Sequence, residues 1–171
     1  MVTIIDYMKN KIWQKDKFEL KEIHYLNIAR RDRMNNNIPS MIGSLLIYNQ
    51  LIECEMKKII ELCVYLIKAK LYPTIILIRP EIEDETFGKI IAEFEKYLID
   101  YDIEENLIKK IKSLNEKRIK IVHKIFSNKS SKILNLENDL VKAEEIIKLL
   151  LALHNKICNM LDTEVKKFES L

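Results

Sequence analysis

Two side chains on one helical stretch, Arg118 and His123, could act together on a phosphate ester. An imidazole titrates near neutral pH and can take or give a proton. A guanidinium offers a planar fork of donors that stabilises charge on phosphate oxygens in a transition state. On a wheel of about 100° per residue, with Leu107 at zero, Ile111, Leu114, Ile121 and Ile125 cluster within about 40° of it. Arg118 falls at about 20°, inside that apolar stripe, and His123 at about 160°, on its edge. The two side chains point about 140° apart, so one helix cannot easily close both on one phosphate. Two copies brought together could.

A buried guanidinium is costly unless it is paired, lines a cavity or meets another chain. The apolar arc continues through Val122, Ile108, Phe126 and Ile119, with Asn115 inside it as a supporting polar group. The preceding long helix carries a stripe of Leu45, Ile52, Ile59 and Leu66, with Asn49 inside and Glu53 on a flank between Leu46, Ile60 and Val64. Glu53 is the nearest expected partner for Arg118. A buried Arg118–Glu53 pair that merely fixes helix register is the non-catalytic alternative.

The elements that position these residues follow from composition. The chain has 171 residues, 48% hydrophobic and 32% charged, with only 2 Gly and 3 Pro. That excludes collagen-like, disulfide-dense and disordered classes, and turn signals are too few for a β-sandwich. Helices are predicted from Lys15 to about Asn35, Pro39 to Leu71, a cap at Asp84 or Thr86 to about Asp100, Ile103 to Asn128, and Glu137 to Lys167. The stretch YPTIILIRPEIEDE, with two prolines and a β-branched run, reads as an extended connection. The expectation is one domain over 1–171: an N-terminal helix or arm at 1–38 and an antiparallel bundle of four to five helices at 39–167.

Net charge is only +3, but it is unevenly placed. Residues 81–105 hold 10 acids against 2 lysines, a balance of −8, and 109–132 hold 9 basic residues against Glu116 alone, a balance of +8. Lys117, Lys120 and Lys124 belong to the second stretch, so a near-neutral chain can still present one basic surface. Cys54, Cys63 and Cys158 lack metal-ligand spacing and read as small core residues in a reducing compartment. No metal and no cofactor is expected. The first residues lack a signal-peptide core, and no run approaches the length of a membrane span, so a cytoplasmic chain is expected.

The segment LNEKRIKIVHKIF, with Arg118 and His123 as Arg-x-x-x-x-His near the end of a long helix, resembles the signature of the HEPN (higher eukaryotes and prokaryotes nucleotide-binding) superfamily. SLLIYNQLIECEMKKII, then ETFGKIIAEFEKYL, then the motif helix and a closing helix, is similar to the HEPN arrangement over roughly residues 40–160. The resemblance implies an all-α bundle, often a homodimer whose motif helices meet. It further implies metal-independent endoribonuclease activity in defence or toxin–antitoxin systems, or an inactive scaffold, with RNA and an antitoxin or other protein as partners. Arg118 and His123 match the motif, and Asn115 matches polar residues that often precede its Arg. Active members usually carry a polar residue directly after the Arg, where this chain has Ile119.

Other candidates receive structural roles. His154, among Ile147, Leu150, Cys158 and Leu161 at helical spacing, reads as a core histidine with one hydrogen bond. His24 has no carboxylate at a diagnostic spacing. Gly88 is expected to permit close helix packing, and Arg30, Arg31 and Arg33 to form a solvated helix end.

Overall fold

Few helix breakers and long apolar stripes yield, in a computed structural model, five α-helices and no strand among the described residues. The structure describes residues 20–34, 37–71, 82, 85–98, 105–124 and 135–169. The helices are α1 (Leu20–Met34), α2 (Ile38–Lys70), α3 (Phe87–Tyr97), α4 (Glu105–Lys124) and α5 (Leu136–Glu169). The all-α expectation holds, with helix limits close to those read from the sequence. Residues 1–19, most of the 72–84 connection, and the 125–134 segment with Ile125 and Phe126 lie outside the described residues.

Helix α2 begins where predicted because Asn37 caps it, its side-chain oxygen accepting from Ser40 N at 2.9 Å, and Pro39 follows in the first turn. Thr86 precedes α3 as the cap residue, though without a side-chain cap bond. The two long helices, α2 and α5, form the spine. Leu45, Ile52, Ile59 and Leu66 of α2 are buried as their spacing predicts, together with Leu140, Ile146, Leu150, Ile157 and Leu161 of α5. Phe87, Ile90, Ile91 and Phe94 of α3 and Leu107, Ile111, Leu114 and Ile121 of α4 complete this single core.

The direction of the helices departs from a simple antiparallel bundle. Glu22 of α1 meets Lys58 and Ala29 meets Ser44, so α1 and α2 run antiparallel. Arg33 meets Glu137 and Arg30 meets Glu144, so α1 and α5 also run antiparallel. Consequently α2 and α5 run parallel, as the Glu55–His154 contact further along both helices requires. Lys112 with Glu95 and Arg118 with Phe87 make α3 and α4 antiparallel, as Lys110 with Glu145 and Lys117 with Asp139 do for α4 and α5. The physical reason is the long connection between α2 and α3. A tight loop would force neighbours to oppose one another, whereas a connection of this length lets the chain return before the next helix starts.

Three smaller expectations are settled here. Gly88 is exposed, and a Cβ built there would meet nothing within 4 Å, so it is not a packing contact. Arg30 and Arg33 are engaged by acids of α5, while Arg31 pairs with the adjacent Asp32 at 3.2 Å. Among the described residues, no helix is long and apolar enough to cross a membrane.

Candidate functional site

Helix α4 sits between α3 and α5 because Leu107, Ile111, Leu114 and Ile121 recur on one face and bury there. Arg118, one turn beyond Leu114, is thereby carried toward the start of α3. Its guanidinium lies 5.6 Å from the centroid of the Phe87 ring, a cation–π contact that helps accommodate the charge. The residue is only half-buried, and among the described residues it has no carboxylate partner. The expected Arg118–Glu53 pair is not formed. Glu53 instead pairs with Lys57 one turn along its own helix, at 3.2 Å, as the i, i+4 spacing on a helix surface favours.

The other predicted residues divide clearly. Asn49 is buried; its Nδ2 donates to the Leu45 carbonyl at 2.8 Å, and its Oδ1 has no hydrogen-bond partner. No hydrogen bond or ion pair links Asn49 or Glu53 to Arg118, Asn115 or His123, so the supporting set is not assembled around the motif. His123 and Lys120 are exposed, Asn115 is half-buried, and the Lys124 side chain lies outside the described residues. Lys117 is committed to Asp139, a carboxylate only 4% exposed, so its charge is already largely neutralised by α5.

The apolar arc of α4 does not all turn inward. Ile119 and Val122 are 47% and 45% exposed, and half-buried Ile108 and Asn115 continue the same line along the helix. Arg118 borders this line on one side and His123 on the other, about 140° apart on the wheel. A second α4 laid on Ile119 and Val122 would therefore bring the Arg118 edge of one helix toward the His123 edge of the other. Beside it, on the α5 side, a groove of about 280 Å³ is lined by Lys109, Lys110, Lys117 and Lys142, with Asp139 and Glu145 opposite. Lys110 bonds Glu145 at 2.8 Å, and Lys142 is exposed, with no ion-pair partner among the described residues.

A second polar cluster went unread in the sequence. His154 Nδ1 lies 2.5 Å from Glu55 Oε1, and Glu55 is only 2% exposed. Lys58 stands 4.0 Å from the other Glu55 oxygen and binds both oxygens of Glu22 at 2.7 Å, and the Cys54 thiol donates to Glu22 at 3.1 Å. Burial lowers the basicity of His154, but hydrogen bonds with Cys158 and Glu55 and the charge of Glu55 outweigh it, raising its pKa to about 9. The ring is therefore an imidazolium at neutral pH. His154 is a core-facing histidine, as its spacing implies, but it is one half of a buried ion pair. Only its i+4 relation to Cys158 was visible locally, since Glu55 is 99 residues away.

Comparison with family models, with curated proteins and with solved structures returned no match.

Proposed function

We propose that the chain is a HEPN-like, metal-independent endoribonuclease of a defence or toxin–antitoxin system, working in the cytoplasm as a homodimer joined through α4. The observation that carries this reading is Arg118, half-buried on Phe87 with no carboxylate partner among the described residues, beside an exposed Ile119–Val122 stripe that has His123 on its other edge. A register-locking pair would have been the main competitor, and Glu53 is occupied by Lys57. Ile119, which departs from the polar residue usual at that position, gains a role as a contact between copies. Apolar side chains at that place exclude water from the site, where the Arg118 charge is worth more.

In this reading His123 of one copy takes the proton of a ribose 2′-hydroxyl, whose oxygen attacks the adjacent phosphorus as the bond to the 5′-oxygen breaks, leaving a 2′,3′-cyclic phosphate and a 5′-hydroxyl that takes its proton from water. Arg118 of the other copy holds the phosphate oxygens as charge develops on them. Lys120 and the exposed lysines near the α4–α5 groove neutralise flanking phosphates, so binding should weaken steeply with salt. Lys117 contributes less, because Asp139 holds it.

The test is cleavage of a labelled single-stranded RNA in EDTA by wild type and His123→Ala. The expected result is metal-independent cleavage that falls at least about 100-fold in the variant while its melting temperature is unchanged, since His123 is exposed. Absence of cleavage by a correctly folded dimeric wild type would overturn the nuclease reading and leave a helical interaction protein.

A further inference from the structure

We propose that α1 is a strap, fastened by charge, that lifts reversibly from the seam between α2 and α5 as ionic strength rises. Every other helix in the bundle is held by a buried apolar face. Among the described side chains of α1 only Glu22 and Ala29 are buried, Leu26 and Ile28 are partly buried, and Ile23, Tyr25 and Met34 point outward at 39%, 40% and 85% exposure. The described side chains of α1 therefore contribute little apolar surface of their own, and the hydrophobic effect holds α1 less firmly than its neighbours.

The fastenings are polar and lie on both neighbours. At one end the Glu22 carboxylate receives Lys58 Nζ on both oxygens and the Cys54 thiol on one, all from α2. At the other, Arg30 reaches Glu144 at 2.9 Å, and Arg33 reaches both Glu144, at 3.4 Å, and Glu137, all on α5. In the middle the Ser44 hydroxyl donates to the Ala29 carbonyl at 2.9 Å. Arg30, Arg33, Glu137 and Glu144 retain contact with solvent, so their attraction is open to screening. The Debye length shrinks from about 10 Å at 0.1 M salt to about 3 Å at 1 M. Helix α2 does not depend on α1 for its start, because Asn37 caps it from outside α1. The strap can leave without unwinding what it covers.

Beneath it lies a polar seam unusual for the inside of a bundle. Tyr48 is fully buried, and its hydroxyl sits close enough to Arg30, Arg33 and Glu144 to feel their charges. Glu55 and His154 follow it along α2 and α5. Release of α1 would give these groups to water or to a partner, which makes the strap a control element for this face and independent of the α4 reading.

Cys54 reports on the strap directly. Burial, the hydrogen bond to Glu22 and its negative charge push the thiol up to about 11, so it is a poor nucleophile while α1 is docked. Cys63 and Cys158 are fully buried in the core and serve as internal references. The experiment is alkylation of the folded chain by N-ethylmaleimide at about 0.05 M and about 1 M NaCl, site by site, with hydrogen exchange of α1 amides alongside. The expected result is an increase of about tenfold or more at Cys54 in high salt, relative to the unfolded chain at the same salt, with Cys63 and Cys158 unchanged. Arg33→Ala should give fast Cys54 labelling and fast α1 exchange already at low salt. A Cys54 rate that ignores salt and Arg33→Ala, or three cysteines that rise together, would overturn the strap and make α1 an integral part of the core.

Discussion

His154→Leu should destabilise the fold by about 3 kcal/mol, toward the lower end of the range of about 3 to 5 kcal/mol for stranding one partner of a buried ion pair. Glu55 is 2% exposed, and without the imidazolium its remaining nearby cation is Lys58, 4.0 Å away and already bound to Glu22. Replacing both partners, Glu55→Met with His154→Leu, should recover most of the loss, because no charge is then left buried. Denaturant unfolding of the two single variants and the double checks this as a thermodynamic cycle.

The pH dependence has a definite sign. The folded-state pKa of His154, about 9, lies above its unfolded value of 6.5. Its contribution is therefore complete below the unfolded value and is lost as pH rises through about 9. Wild type should lose stability across that window, and the double variant should show a flatter profile there.

Ile119→Asp is the second large effect. Asp at position 119 would be exposed in a monomer and cost the isolated bundle little, since Ile119 is already 47% exposed. At an interface between two α4 helices the same carboxylate is desolvated without a partner, and near the two-fold axis it faces its own copy. Dimer affinity should weaken by on the order of 100-fold or more, and RNA cleavage should fall with it at protein concentrations below the new dissociation constant. Light scattering across a dilution series measures the first and cleavage at the same dilutions the second. A variant that stays dimeric, with wild-type affinity, would place the interface elsewhere.

What the sequence made legible was whatever repeats within one helix. The 3.6-residue spacing of Leu45, Ile52, Ile59 and Leu66, and of Leu107, Ile111 and Leu114, gave the inward faces, and all of these residues are buried. The same periodicity could not tell what covers the rest of the arc, so Ile119 and Val122, apolar by type, looked like core and stand in solvent. Arg118 lay in the stripe as expected, but an aromatic ring rather than a carboxylate receives it. A cation–π partner 31 positions away has no local signature. The Glu55–His154 and Glu22–Lys58 pairs were invisible for the same reason, because they depend on which helices lie side by side. That in turn hangs on the parallel course of α2 and α5, which local patterns do not encode. Asn49 and Glu53 were placed on the correct helix and face, but Glu53 was given Arg118 as a partner and pairs with Lys57 instead.

The central claim, that Arg118 and His123 act on one phosphate from opposite copies of the chain, is tested most directly by mixing two inactive variants. Arg118→Ala and His123→Ala should each fail to cleave RNA in EDTA. Unfolded together and refolded, they should form heterodimers carrying one intact Arg118–His123 site, and cleavage should return to roughly a quarter of the wild-type rate by random pairing. Heterodimers that form and remain as inactive as the parents would contradict the account, because the two groups would then have to act from the same chain or not at all.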